Sequence, residues 1–329
     1  VRESTFIDRN RSKWEEIEDF EKKDPDETAS DFVEIISDLS YAQTRYPHSK
    51  INSYLNHLAI STYRSVYRAK KKQPLLEFWR TTFPLILGKN RKTLWLASAL
   101  FLAFCTLGAV CASLEPEFVE SVMGSEYIAM TEENIASGEP FGVYNTENPM
   151  QMFFSILANN LFVGLLVFIS GIFMGIGSVY HTFKNAIMVG SFFHLFFRAD
   201  LGFNALVVIG LHGTLELMGL VLECMAGMIL GLSALFPGTL TRRQAFRKGL
   251  NQSVRIYLGT VPFTLIAAFI ESYITRYGSD GLTSGNALLT ALLLLVFVLS
   301  WMILIWYFFI YSRRVARSVP DGLYQNTLW

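Results

Sequence analysis

The chain has 329 residues, 51% of them hydrophobic and 27 of them Phe, with zero formal net charge and a mean hydropathy of +0.33. This excludes a disordered polymer, a small disulfide scaffold and a wholly soluble globule, and it describes a polytopic membrane protein with one modest polar portion. The basic clusters, before residue 93 and at 242–255 and 313–317, flank apolar stretches, so membrane topology accounts for them and nucleic acid is not an expected partner.

Residues 5–23 predict a helix with Phe6, Trp14, Ile17 and Phe20 apolar, broken at Asp24-Pro25-Asp26. A second helix fits Asp31–Arg45, capped by Ser30 or Asp31, with Phe32, Ile36 and Leu39 on one face. A third runs from about Ser49 to Lys70 and aligns Ile51, Leu55, Leu58, Thr62 and Val66. Three short amphipathic helices make a thin core that is expected to lean on the membrane or on a second copy. Residues 74–88, with Trp79 and Arg80 as anchors, read as an interfacial helix in the headgroup layer. Residues 1–90 are therefore expected as a cytoplasmic helical bundle ending in that helix, with no signal peptide in a polar, charged stretch.

Residues 91–318 read as an all-α transmembrane domain of about six spans: 93–114, 152–178, 185–198, 204–236, 254–275 and 286–311, with 319–329 a cytoplasmic tail. Lys89, Arg91 and Lys92 precede the first span, whereas Glu115–Pro149 behind it carries eight Glu and no Lys or Arg. The positive-inside rule then puts both termini in the cytoplasm of a bacterial inner membrane and the acidic loop outside. Under this topology probes at Gly138 and Ser279 are external and one at Gln244 is not. Residues 186–197 span only about 18 Å as a helix, so a short crossing with Lys184 and Arg198 snorkelling is favoured over a re-entrant hairpin. Cys105, Cys111 and Cys224 all lie in apolar stretches without disulfide or zinc spacing.

The stretch Asn204–Phe236 organises the rest. It is apolar enough to cross a bilayer, yet it carries His212, Glu216 and Glu223, which helical periodicity puts on one stripe roughly 16 Å long. Carboxylates in hydrocarbon cost several kcal/mol unless paired, protonated or wet, so the stripe faces protein or water. Asn159, Asn160 and His194 are its expected neighbours. Gly213, Gly227 and Gly231 are expected in helix packing, with Gly227-x-x-x-Gly231 at the spacing for close helix contact. That glycine face, with an exposed Trp14 and Phe20, motivates a homodimer.

His212-x-x-x-Glu216 has the spacing of two ligands on one helix face, and His194, Glu223 and Glu271 could add to it. Without HExxH, paired Cys or an Asp-rich motif, the expectation is no metal and no cofactor. Nor is there a phosphate-binding loop, a nucleophile elbow or a protease pair, so no enzyme is expected. The stripe is left as a structural hydrogen-bonded cluster or as an intramembrane path for ions or a solute.

Two regions resemble the stage II sporulation protein M family. One is Arg2-Glu3-Ser4-x-Phe6-Ile7 with Trp14 and Tyr54-Leu55-Asn56; the other is His212-Gly213-x-x-Glu216 with the glycine-rich tail from Gly227 to Gly231. Leu211 stands where the family often has Pro, and Asn185-Ala186 where it often has Asn-Gly. The resemblance implies a multispan, non-catalytic membrane scaffold acting beside other envelope proteins. The competing class is a homo-oligomeric transporter or channel.

Overall fold

The computed structural model describes residues 2–18, 25–68, 75–145, 148–275 and 287–319. All regular elements among them are helical, and the chain divides into two units, Val1–Leu75 and Leu76–Trp329.

The first unit holds α1 (Glu3–Glu18), α2 (Pro25–Arg45) and α3 (Ile51–Arg68). Its core joins Phe6, Trp14 and Ile17 to Ile35, Leu39 and Ala42 and to Ile51, Leu55, Leu58 and Ala59. Three expectations are corrected. α2 opens at Pro25 rather than at Asp31, because a proline in the first turn removes only an N–H that has no partner there. Ile35 points inward and Ile36 is 43% exposed, since the stripe follows Phe32, Ile35, Leu39 and Ala42. Trp14, expected on the surface, is 2% exposed, and its indole N–H donates to Asp38 at 2.9 Å. Phe20 lies outside the described residues.

In the second unit α4 runs as Leu75–Glu77, a π-helical turn Phe78–Thr82, and Phe83–Lys89. It does not lie on the surface as an interfacial helix would. Residues 83–88 are fully enclosed, Trp79 Nε1 donates to the Gly259 carbonyl at 3.3 Å, and the Tyr307 hydroxyl donates to the Trp79 carbonyl at 2.6 Å. Gly88 packs on the Ser312 backbone so closely that a Cβ would lie 2.1 Å from its carbonyl oxygen. The segment is thus part of the membrane unit, and the bundle ends near residue 75, not 90.

The remaining helices are α5 (Arg91–Leu114), α6 (Pro116–Met123), α7 (Ser125–Ala136), α8 (Pro149–Ser170), α9 (Ile176–Arg198), α10 (Gly202–Leu235), α11 (Arg242–Tyr273) and α12 (Ala287–Ser318). Among the described residues five are long and apolar enough to cross a membrane: α5, α8, α10, α11 and α12. The expected spans 152–178 and 185–198 are redrawn. A turn at 171–175 ends α8, using positive φ at Met174 (55°) and Gly175 (81°), and α9 is one helix of 23 residues passing straight through 185–186. His181, Lys184 and Asn185 lower its hydropathy, which is why the sequence shows only its apolar second half.

α10 and α11 form the long axis. At about 1.5 Å per residue α10 is some 51 Å long, more than a hydrocarbon core. The two run antiparallel, so that His212 meets Glu271 and Thr275, Glu223 meets Thr260, and the Ser253 hydroxyl donates to the Ala226 carbonyl at 2.7 Å. α11 starts in a capping box of Thr241 and Gln244, so the basic cluster at 242–255 forms its first turns.

Small residues let backbones touch. A Cβ on Gly171 would lie 2.3 Å from the Gly227 Cα, one on Gly231 would lie 2.1 Å from the Gly175 nitrogen, and one on Gly227 would lie 1.8 Å from Ser178 Oγ. The Gly227/Gly231 face is therefore filled by the α8–α9 turn of the same chain. It is not open to a second copy.

Candidate functional site: an intramembrane His/Glu cluster under a cavity

The three polar residues of α10 turn toward α8 and α11. His212 is 3% exposed and Glu223 5%, while Glu216 is half-buried. Their neighbours sort into two levels.

At the upper level, Asn160 of α8 donates from Nδ2 to Glu216 Oε1 at 2.6 Å. Glu271 of α11 brings a second carboxyl, with Oε1 3.7 Å from His212 Nε2. One ligand atom each from His212, Glu216 and Glu271 lie within 4.8 Å of one another. His212 Nδ1 lies 3.0 Å from Thr275 Oγ1, whose own hydroxyl donates to the Ile270 carbonyl at 3.2 Å. The direction of the Nδ1–Thr275 hydrogen bond follows the imidazole tautomer, since the hydroxyl can donate to Nδ1 or accept from it. Nε2 and Oε1 at 3.7 Å are too far apart for a hydrogen bond.

The cluster lies in the wall of a cavity of about 420 Å³. Glu216, Glu271, His212 and Gly213 contribute its polar side and its narrowest side chain; Phe192 and Phe193 of α9, with Val122, Met123 and Tyr127 of α6 and α7, contribute the apolar side. Gly213 was expected as a helix-packing glycine. Its Cβ would meet only Ile209 of its own helix, at 3.6 Å, so its role is to leave the cavity open. Tyr127 stands outside the spans, and burial pushes its phenol up, with the Glu271 carboxyl adding to the shift.

At the lower level Glu223 has Thr260 Oγ1 3.4 Å away and lies against Gly164, where a Cβ would come within 2.2 Å of Oε1. Below it the Gly171–Gly227 contact closes the helices on one another. Asn159 is exposed and reaches Asn160 at 3.4 Å, so it supports the cluster only at second hand. His194 is half-buried on α9 and does not line the cavity. Glu271, weighed in the sequence only as a further ligand, is a full member. Its signal was an ionisable residue one turn from the end of an apolar span, but nothing in the sequence sets the α10–α11 register that brings it to His212.

The sequence model of the stage II sporulation protein M family matches residues 97–276. The chain belongs to that family. The match takes in most of α5, all of α6 to α11 and every residue of the cluster, while α4 and α12 lie outside it. A second match, to a family described only as a domain of unknown function, covers residues 4–68. The N-terminal residues that resemble the sporulation family thus fall in a separate domain rather than in the family match. No curated protein and no solved structure matches the chain.

Proposed function

We propose that the protein is a non-enzymatic assembly subunit of the bacterial cell envelope, set in the cytoplasmic membrane with both termini inside. The observation that carries this reading is the closed helix body beneath the cavity. Glu223 fills the space at Gly164, and the Gly171–Gly227 and Gly175–Gly231 contacts bring α10 and the α8–α9 turn backbone to backbone below it. A pocket lined in part by α6 and α7 suits docking and positioning better than conduction. α9 counts as the sixth crossing: 23 residues give about 34 Å, and it packs along α5, with Gly190 on Cys105 and Gly108 on Ile187. The acidic outer segment and the basic ends of α4, α11 and α12 set the orientation.

Partners are other envelope membrane proteins and a second copy of this chain. With the glycine face and Trp14 used internally, the homodimer rests on Val33 and Ile36 of α2 and Ile60 and Tyr63 of α3, which are 41–68% exposed. In nanodiscs the wild-type mass should be that of two chains, and Val33→Glu with Ile60→Glu should halve it.

A transporter or channel is the second reading, favoured by carboxyls at two levels of one helix. Reconstituted vesicles separate the two. The assembly reading predicts no proton or alkali-cation flux above empty vesicles for wild type or Glu216→Gln; a flux present in wild type and lost in Glu216→Gln would replace it.

A further inference from the structure

We propose that the pocket between the start of α5, the end of α10 and the first turns of α11 binds the phosphate headgroup of an anionic phospholipid. The inference goes beyond the assembly reading and does not depend on it, since the pocket lies at the basic end of the membrane unit whichever side that end faces.

Three features carry it. The first is a buried amide with hydrogens to spare. Gln252 is 7% exposed and lines the pocket, which holds about 340 Å³. The side-chain nitrogen of Asn90 donates to the Ile86 carbonyl at 2.9 Å and to Gln252 Oε1 at 3.1 Å. An atom that donates to a carbonyl is the nitrogen, so the Gln252 atom facing it is the oxygen. Gln252 Nε2 therefore keeps two N–H groups that meet no acceptor among the described residues. Buried donors of this kind call for an acceptor-rich ligand.

The second is charge. Lys248 stands one turn before Gln252 on the same face of α11, half-buried, and lines the pocket beside it. It makes no ion pair among the described residues, and no Asp or Glu is in the pocket wall. Thr93 adds a hydroxyl from the first turn of α5. No side chain caps that helix, because the Asn90 amide is turned to Ile86 and Gln252, so its positive end stays open to an anion.

The third is the opposite wall, which is apolar: Leu232 of α10, with Phe236 and Leu240 just beyond it. Phe236 is 75% exposed. The last carbonyls of α10 carry partial negative charge, so the phosphate belongs on the α5–α11 side and hydrocarbon belongs against α10. Inorganic phosphate has nothing to place on that wall, whereas a glycerophospholipid carries phosphate and acyl chains side by side. Basic pockets between membrane helices suit anionic headgroups for this reason.

The test uses the full chain in mild detergent, freed of co-purified lipid. Phosphatidylglycerol, diacylglycerol with the same acyl chains, and glycerol phosphate are titrated separately, with binding read from melting temperature and native mass spectra. Phosphatidylglycerol should raise the melting temperature and saturate at one retained lipid per chain, and the other two should do neither at the same concentration. Lys248→Glu should lower the affinity for phosphatidylglycerol at least tenfold. Lys248→Gln, which keeps most of the stem and loses the charge, should shift it in the same direction. Arg313→Glu removes a basic residue that does not line the pocket and should leave the affinity unchanged. The Lys248→Gln arm and the wild-type comparison keep the proposal testable if Lys248→Glu does not fold. Equal losses in the Lys248 and Arg313 variants would show attraction by surface charge in general. Diacylglycerol binding as well as phosphatidylglycerol would show an acyl groove indifferent to phosphate, and glycerol phosphate binding as tightly would assign the pocket to a soluble phosphate ester. Each of these three results overturns the lipid site.

Discussion

Glu216 and His212 are four residues apart on one helix, yet they hold different neighbours. Asn160 donates to Glu216, while His212 is fixed by Thr275 and faces Glu271. The sequence supports the expectation that Glu216→Leu strands His212; the structure moves the loss to Asn160, whose amide would be left without its carboxylate. An orphaned amide in the half-buried position of Asn160 costs about 1–3 kcal/mol, so Glu216→Leu should lower thermal stability in detergent by that order. Adding Asn160→Leu should restore part of it, because the double variant has no Asn160 amide left to orphan. No recovery in the double variant would mean that the pair contributes nothing. At this scale the sequence was informative about residue type: ionisable groups inside a span had to face protein. It was silent on Glu271 and Thr275, whose positions depend on which turn of α11 lies beside His212.

Among the elements, glycines that look alike in sequence separate into packed and open ones. A Cβ on Gly231 would lie 2.1 Å from the backbone nitrogen of Gly175, while one on Gly219 meets nothing within 4 Å. Gly231→Ala should therefore force the α8–α9 turn off α10 and cost about 1–3 kcal/mol. Gly219→Ala should be neutral or gain up to about 1 kcal/mol from better helix propensity. Paired unfolding curves in one detergent check the contrast, and equal effects would contradict the packing described. Apolar periodicity revealed α5, α8, α10, α11 and α12 because each has a long uninterrupted stretch. It divided α8 and α9 wrongly because the turn at 171–175 is itself apolar, and because Lys184 and His181 lie within a helix rather than at its end. In α4 the same blindness hid burial: Trp79 and Arg80 look like surface anchors until Tyr307 and Gly259 are beside them.

For the molecule as a whole, the proposed six crossings with both termini inside rest on the charge pattern and the continuous α9. With Cys105, Cys111 and Cys224 replaced by Ala, Glu139→Cys should react with an impermeant maleimide added to intact cells, and Arg243→Cys only after permeabilisation. The reverse pattern would invert the topology. Glu139 replaces Gly138 as the probe because Gly138 has φ of 82°, a conformation that a cysteine adopts under strain.

The central claim is that the His/Glu cluster ends a blind cavity reached from the outer side of a closed helix body. Gly213→Cys tests it most directly, since its Cβ has room and points along the cavity wall. In the same cysteine-free background, a small charged thiol reagent should modify Gly213→Cys when added to the outer side of right-side-out vesicles. The reagent should leave it untouched when added to the cytoplasmic side of inverted vesicles. Modification from the cytoplasmic side at a comparable rate would contradict the closed body and, with it, the assembly reading.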